Sequence, residues 1–102
     1  MKAMREFELT DLGDGRFALR GDVSFRTAES ILRASERTFR DQQTIDLDLA
    51  EVTRTDSAGL ALLLEWLSRA TRAGTKIHFV NIPEKIRAIA VTADISELLQ
   101  QA

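Results

Sequence analysis

Apolar and polar residues alternate at the start of the chain: Phe7 and Leu9 between Glu6, Glu8 and Thr10, then Phe17 and Leu19 between Arg16, Ala18 and Arg20. This is the period-two pattern of half-buried strands. Gly13-Asp14-Gly15 separates the two runs, and because glycine tolerates positive φ the pair predicts a hairpin. Ala28, Ile31, Leu32, Ser35 and Phe39 then fall at helical spacing, with Arg33, Glu36, Arg37 and Arg40 elsewhere on the wheel, so an amphipathic helix is expected from about Phe25 to Arg40. Ile45, Leu47 and Leu49 alternate with Asp46 and Asp48 as a third strand, and Glu51 to Asp56 follows as a polar segment. From Ser57 to Ala73 the spacing is helical again, with Leu60, Leu63, Leu64 and Leu67 as the apolar stripe and Gly74 as the stop. Ile77 and Phe79 mark a fourth strand. Asn81, Pro83 and Glu84 make a helix start, Ile82, Ile86, Ile89 and Ala90 supply its buried face, and a short helix from Ser96 to Gln101 closes the chain.

The order β-β-α-β-α-β-α, with a last helical turn or two, predicts an α/β fold. Strands separated by helices pair in parallel through right-handed crossovers, whereas the opening hairpin is antiparallel. A mixed four-stranded sheet packed with three to four helices is therefore expected. The 102 residues, 44% hydrophobic, suit one domain over 1–102. A net charge of −2, with bases interleaved among acids, gives no footprint for nucleic acid. The absence of cysteine removes disulfides and zinc thiolates and fits a reducing compartment, so a cytoplasmic location is expected. Met1 to Glu8 lacks the apolar stretch of a signal peptide. The run Ala58 to Leu64 falls far short of the roughly 20 residues that span a bilayer, so direct membrane insertion is not expected.

Candidate chemistry concentrates where the polar segment turns into the leucine-rich helix, at Asp56-Ser57-Ala58-Gly59. Open α/β sheets present ligands and partners at such junctions. The free amides and positive dipole end of the helix would tolerate an anion, including a phosphate on Ser57. A structural reading stands beside it, because Asp and Ser are strong helix caps and need no function to be there. His78 is the single histidine, and no Gly-x-Ser-x-Gly elbow surrounds Ser57, so a nucleophilic serine has no evident base and no enzyme activity is expected. Asp46 and Asp48 alone do not make a metal site. Gly13-Asp14-Gly15 is neither a phosphate loop nor a dinucleotide fingerprint, so no cofactor is expected. On the helical wheel Leu62 lies opposite the leucine stripe and Trp66 well off it. Either they are exposed beside Arg69 as an interface hot spot, or they pack under a neighbouring element.

The stretch from Ile45 to Val80 resembles the signature region of STAS domains, the family of anti-sigma-factor antagonists and sulphate-transporter tails. Asp56, Ser57, Ala58, Gly59 and Leu60 match its Asp-Ser-small-Gly-Leu pattern position by position, and Leu19 to Ser24 is similar to its second strand and exit. The run from Gly59 to Leu67, the short length and Ile82-Pro83 look most like the MlaB-type members, small subunits of a phospholipid-transporting ABC complex that maintains outer-membrane lipid asymmetry. The resemblance implies a non-enzymatic protein that binds an MlaF-like ATPase, and through it a membrane permease, at the inner membrane. It places Thr55, Asp56, Ser57, Ala58, Gly59 and Leu60, with the exposed side of the following helix (Leu62, Trp66, Arg69), against the partner. Phospho-switched antagonists carry a second hydroxyl where Ala58 stands, but Ser57 occupies the phosphorylated position. An anti-sigma antagonist switched at Ser57 is the alternative role. Val91-Thr92-Ala93 lacks the bulkier residues of the subgroup's tail.

Overall fold

The computed structural model describes residues 6–100. Strands β1 (Phe7–Gly13) and β2 (Arg16–Val23) form the antiparallel hairpin that the alternation predicts. Its turn runs through three left-handed residues, Gly13, Asp14 and Gly15, at φ 87°, 58° and 77°. Gly15 is needed twice over, because a Cβ there would stand 2.7 Å from the Thr44 carbonyl oxygen. The chain continues through α1 (Ala28–Thr38), β3 (Thr44–Asp48), β4 (Val52–Thr55), α2 (Ser57–Ala73), β5 (Lys76–Val80), α3 (Glu84–Thr92) and α4 (Ser96–Gln100). Gln101, the expected last residue of the closing helix, and Met1 to Arg5 lie outside the described residues.

The sheet has five strands in the order β1-β2-β3-β5, with β4 also paired to β2. Its inner pairs β2–β3, β2–β4 and β3–β5 are parallel. The polar segment after the third strand thus contains a further strand, which makes the sheet five-stranded where four strands are expected. The first half of β2 pairs with β3, from Arg16 against Asp46 to Ala18 against Asp48, and the second half pairs with β4, from Gly21 against Val52 to Val23 against Thr55. Val52, Thr53 and Thr55 are β-branched and suit an extended backbone, and the edge of β2 left free beyond β3 gives it hydrogen-bond partners. Helix α1 starts three residues later than its periodicity suggests. The Thr27 hydroxyl donates to the Asp22 carbonyl at 2.8 Å and accepts from the Ser24 amide at 3.0 Å, which ties 22–27 into a turn ahead of the helix.

Phe17, Leu19, Ile45, Leu47 and Ile77 are buried on one face of the sheet, while the alternate positions Arg16, Arg20, Lys76 and His78 are exposed. Helix α2 lies centrally over the buried face, touching β5, α1, α3 and α4. It is therefore covered on its flanks as well as its base, and this corrects the hot-spot reading of two residues. Leu62 is 4% and Trp66 3% exposed. The Trp66 indole Nε1–H donates to the Ser35 hydroxyl of α1 at 2.8 Å, and the ring meets Phe39 edge to face at 5.7 Å. Leu62 sits one turn earlier on the same flank.

Candidate partner-binding site

Strands β2 and β4 run parallel and end side by side, so the β2–α1 loop and the start of α2 emerge together. This is the carboxyl edge at which open α/β sheets present binding groups. Asp56 is the N-cap of α2 in an extended conformation. Its Oδ1 accepts from the Ala58 amide at 2.8 Å, satisfying one of the helix's free donors. Its Oδ2 accepts from the Phe25 amide at 3.1 Å, so one carboxylate holds both segments. The β2–α1 loop is braced from within as well, by the buried Ser24 and Thr27.

Gly59 explains how α2 comes so close. A Cβ there would collide with the Thr55 hydroxyl and stand 3.1 Å from Ile86 Cδ1 and 3.2 Å from the Val23 carbonyl oxygen. Only glycine lets the first turn of α2 seat against β2, β4 and α3 at once. Gly59, Leu60 and Thr55 are accordingly buried, which corrects their reading as residues that face a partner: they shape the site from beneath. Asp56 and Ala58 are half-buried and Ser57 is exposed. The Ser57 hydroxyl makes no hydrogen bond among the described residues.

Arg69 is not part of this surface. It lies twelve residues along α2 from Ser57, about 18 Å at 1.5 Å per residue. Its guanidinium is engaged inside the molecule, with Nε donating to Glu65 at 2.8 Å and Nη1 to Glu36 of α1 at 2.9 Å. The hydrogen bonds that Arg69 donates to Glu65 and then to Glu36 raise the arginine's pKa further, and the bond from Arg69 pulls the pKa of the Glu65 carboxyl below its ordinary value. The cluster fastens α2 to α1.

The structure adds a residue that the spacing concealed. Phe25, next to the Asp56 carboxylate, is 85% exposed, the highest exposure of the large hydrophobic side chains described. Its sequence signal is faint: it is an apolar residue between Ser24 and Arg26, outside the alternation of β2 and ahead of the apolar stripe of α1. Phe25 and Ser57 thus emerge from neighbouring segments that Asp56 joins. His78 lies on the solvent face of the sheet, its Nδ1 4.0 Å from Asp46 of the adjacent strand. Among the described residues no group of three or more His, Cys, Asp or Glu side chains could hold a metal ion, and no helix is long and apolar enough to cross a membrane.

The family model described as "Mlab, STAS domain" matches residues 10–100. The chain belongs to the STAS domain family. Several solved structures superpose on it over most of both chains. The anti-sigma factor antagonist SpoIIAA in its unphosphorylated form has a TM-score of 0.68 at 16% identity, covering 89% of this chain and 83% of that one. An anti-sigma factor antagonist from Mycobacterium paratuberculosis has a TM-score of 0.70 at 19% identity, covering 90% and 80%. A sulfate transporter family protein from Wolinella succinogenes has a TM-score of 0.64 at 17% identity, covering 90% and 75%. Identities this low speak for a shared fold alone. No curated protein matches the chain. In this STAS domain the family's Asp-Ser-small-Gly-Leu pattern divides by role: Asp56 ties, Ser57 projects, and Gly59 and Leu60 pack.

Proposed function

We propose that this STAS domain is a non-enzymatic subunit that docks on the cytoplasmic ATPase of an ABC transporter. In that role it supports phospholipid movement for outer-membrane lipid asymmetry and reaches the inner membrane only through its partner and the attached permease. The observation that carries the reading is the exposed Phe25 beside Ser57, on two segments fixed by Asp56. A large aromatic held on a rigid base costs little side-chain entropy to bury and is the kind of residue that anchors an interface. The MlaB-like assignment among STAS proteins is supported by the description of the matching family model.

A second role, an anti-sigma-factor antagonist, is favoured by one feature, the exposed and unengaged Ser57 hydroxyl at the start of α2. A phosphate there would sit within the docking surface and disrupt it by its charge and desolvation. Affinity purification of the tagged protein from detergent-solubilised membranes at moderate salt separates the two. Recovery of an ABC ATPase with its permease is the expected outcome. Recovery of a soluble kinase-like protein instead, with no ATPase, would overturn the transporter role in favour of the switch.

A further inference from the structure

A concavity lies towards the other end of α2, on the side of α1. There, between the end of α1, the second half of α2 and strands β3 and β5, a cavity of about 230 Å³ opens to the surface. Phe39, Ile45, Trp66 and Ile77 line it with apolar surface. Ala70 and Ala73 face it from α2 and leave its mouth open. Its charged lining residues are Glu36, Arg40 and Arg69. Glu36 and Glu65 already hold Arg69, whereas Arg40 has no acidic side chain within ion-pair distance among the described residues. The cavity therefore joins an apolar floor, at which Trp66, Ile45 and Ile77 are only 3–5% exposed, to one arginine without an ion-pair partner.

We propose that this cavity binds a small amphipathic monoanion, a carboxylate on a short apolar chain, with the apolar part against Trp66 and Phe39 and the carboxylate on Arg40. Ligand pockets have this composition, mostly apolar walls with a few placed polar groups, and run from about 300 to 1,000 Å³. At about 230 Å³ this cavity falls below that range, so only a small ligand fits it. The arginine fork matches a carboxylate in geometry as well as charge. The rim favours a single negative charge, because Glu36 beside Arg69 repels a second one. Arg40 and Trp66 stand well away from Phe25 and Ser57, so the site is independent of the partner role proposed above.

Trp66 is the only tryptophan of the chain, so its intrinsic fluorescence reads the cavity directly. The purified full-length protein is titrated with octanoate, octanol and octylamine. Octanoate is expected to give a saturable change, octanol a response about tenfold or more weaker, since it lacks the charge-assisted hydrogen bond, and octylamine none. Arg40→Gln, an exposed position, should bring octanoate down to the level of octanol. Ala73→Leu, at the exposed rim, should close the mouth and remove the response to both octanoate and octanol, with melting curves confirming that both variants are folded. The absence of a saturable response to octanoate overturns the proposal, as do equal responses to octanoate and octanol, or unchanged octanoate binding in folded Arg40→Gln or Ala73→Leu.

Discussion

Replacing Gly59 with alanine sets two effects of opposite sign against each other. Removing a glycine from a helix is worth up to about 1 kcal/mol from backbone entropy alone, so an open site would gain stability. This site is closed. The new methyl would overlap the Thr55 hydroxyl and press on Ile86 Cδ1 and the Val23 carbonyl oxygen at 3.1 and 3.2 Å. Ile86 can shift its terminal carbon by a few tenths of an ångström, but the Val23 carbonyl is backbone and Thr55 is a short, buried side chain. Overpacking of this kind costs about 1–3 kcal/mol and sometimes more, and the closest overlap here places it at the upper end. The expected net loss is about 2 kcal/mol, a fall of roughly 8–16 °C in melting temperature for a domain of this size. Thr55→Ala removes the nearest obstacle, so the double variant should be more stable than the summed single effects predict by at least about 1 kcal/mol, well outside the ~0.3–0.5 kcal/mol scatter of additive pairs. Urea unfolding followed by far-UV circular dichroism measures all four proteins. A Gly59→Ala protein as stable as the parent, or an additive cycle, would refute the claim that glycine is there to let the helix approach.

Phe25→Ala should leave the melting temperature nearly unchanged, within the ~0.5 kcal/mol typical of surface sites, while weakening retention of the ATPase in the pull-down by tenfold or more; full retention would place the contact elsewhere. Trp66→Phe does the converse. Losing the indole hydrogen bond to Ser35 and part of the ring should cost about 1–3 kcal/mol in thermal or urea unfolding, with partner binding of the folded protein intact. The Glu65–Arg69 pair predicts a pH effect of definite sign. A carboxylate with a depressed folded-state pKa stabilises above its unfolded value, and that contribution is lost as pH falls through the folded one. Parent and Glu65→Gln melting temperatures should therefore differ by a small, salt-sensitive margin at neutral pH and converge in acid, below the ordinary glutamate range. A gap that widens on acidification would contradict the assignment.

Much of the fold is legible in the chain because one-sided burial writes a period. Phe7, Leu9, Phe17, Leu19, Ile45, Leu47, Ile77 and Phe79 alternate because one face of the sheet is covered and the other wet. Strand β4 breaks that rule: it is four residues long, only Thr55 of it is buried, and its state comes from pairing with β2, a tertiary partner that no local window contains. Helix α2 fails differently. A wheel finds a single direction, yet α2 is covered by the sheet below and by helices at its sides, so Leu62 and Trp66 are off the stripe and still inside. At the site, Asp56 and Ser57 stand out by residue type and position, and the burial of Gly59 appears only once Thr55, Val23 and Ile86 are known to surround it. Phe25 stayed hidden because its exposure depends on α1 starting at Ala28, and that start is set by the hydrogen bonds of Thr27, not by helical periodicity.

The two oxygens of Asp56 serve different masters, one the first turn of α2 and the other the amide of Phe25. The consequence is kinetic. Neither segment can drift from the other without breaking a charge-assisted hydrogen bond, so a partner meets one shape and has no slow rearrangement to wait for. Encounter should then proceed at the ordinary pace of two rigid proteins finding their orientation, about 10⁵–10⁷ M⁻¹s⁻¹, and whatever sequence changes at positions 25 and 57 do to affinity should be written in how long the complex lasts.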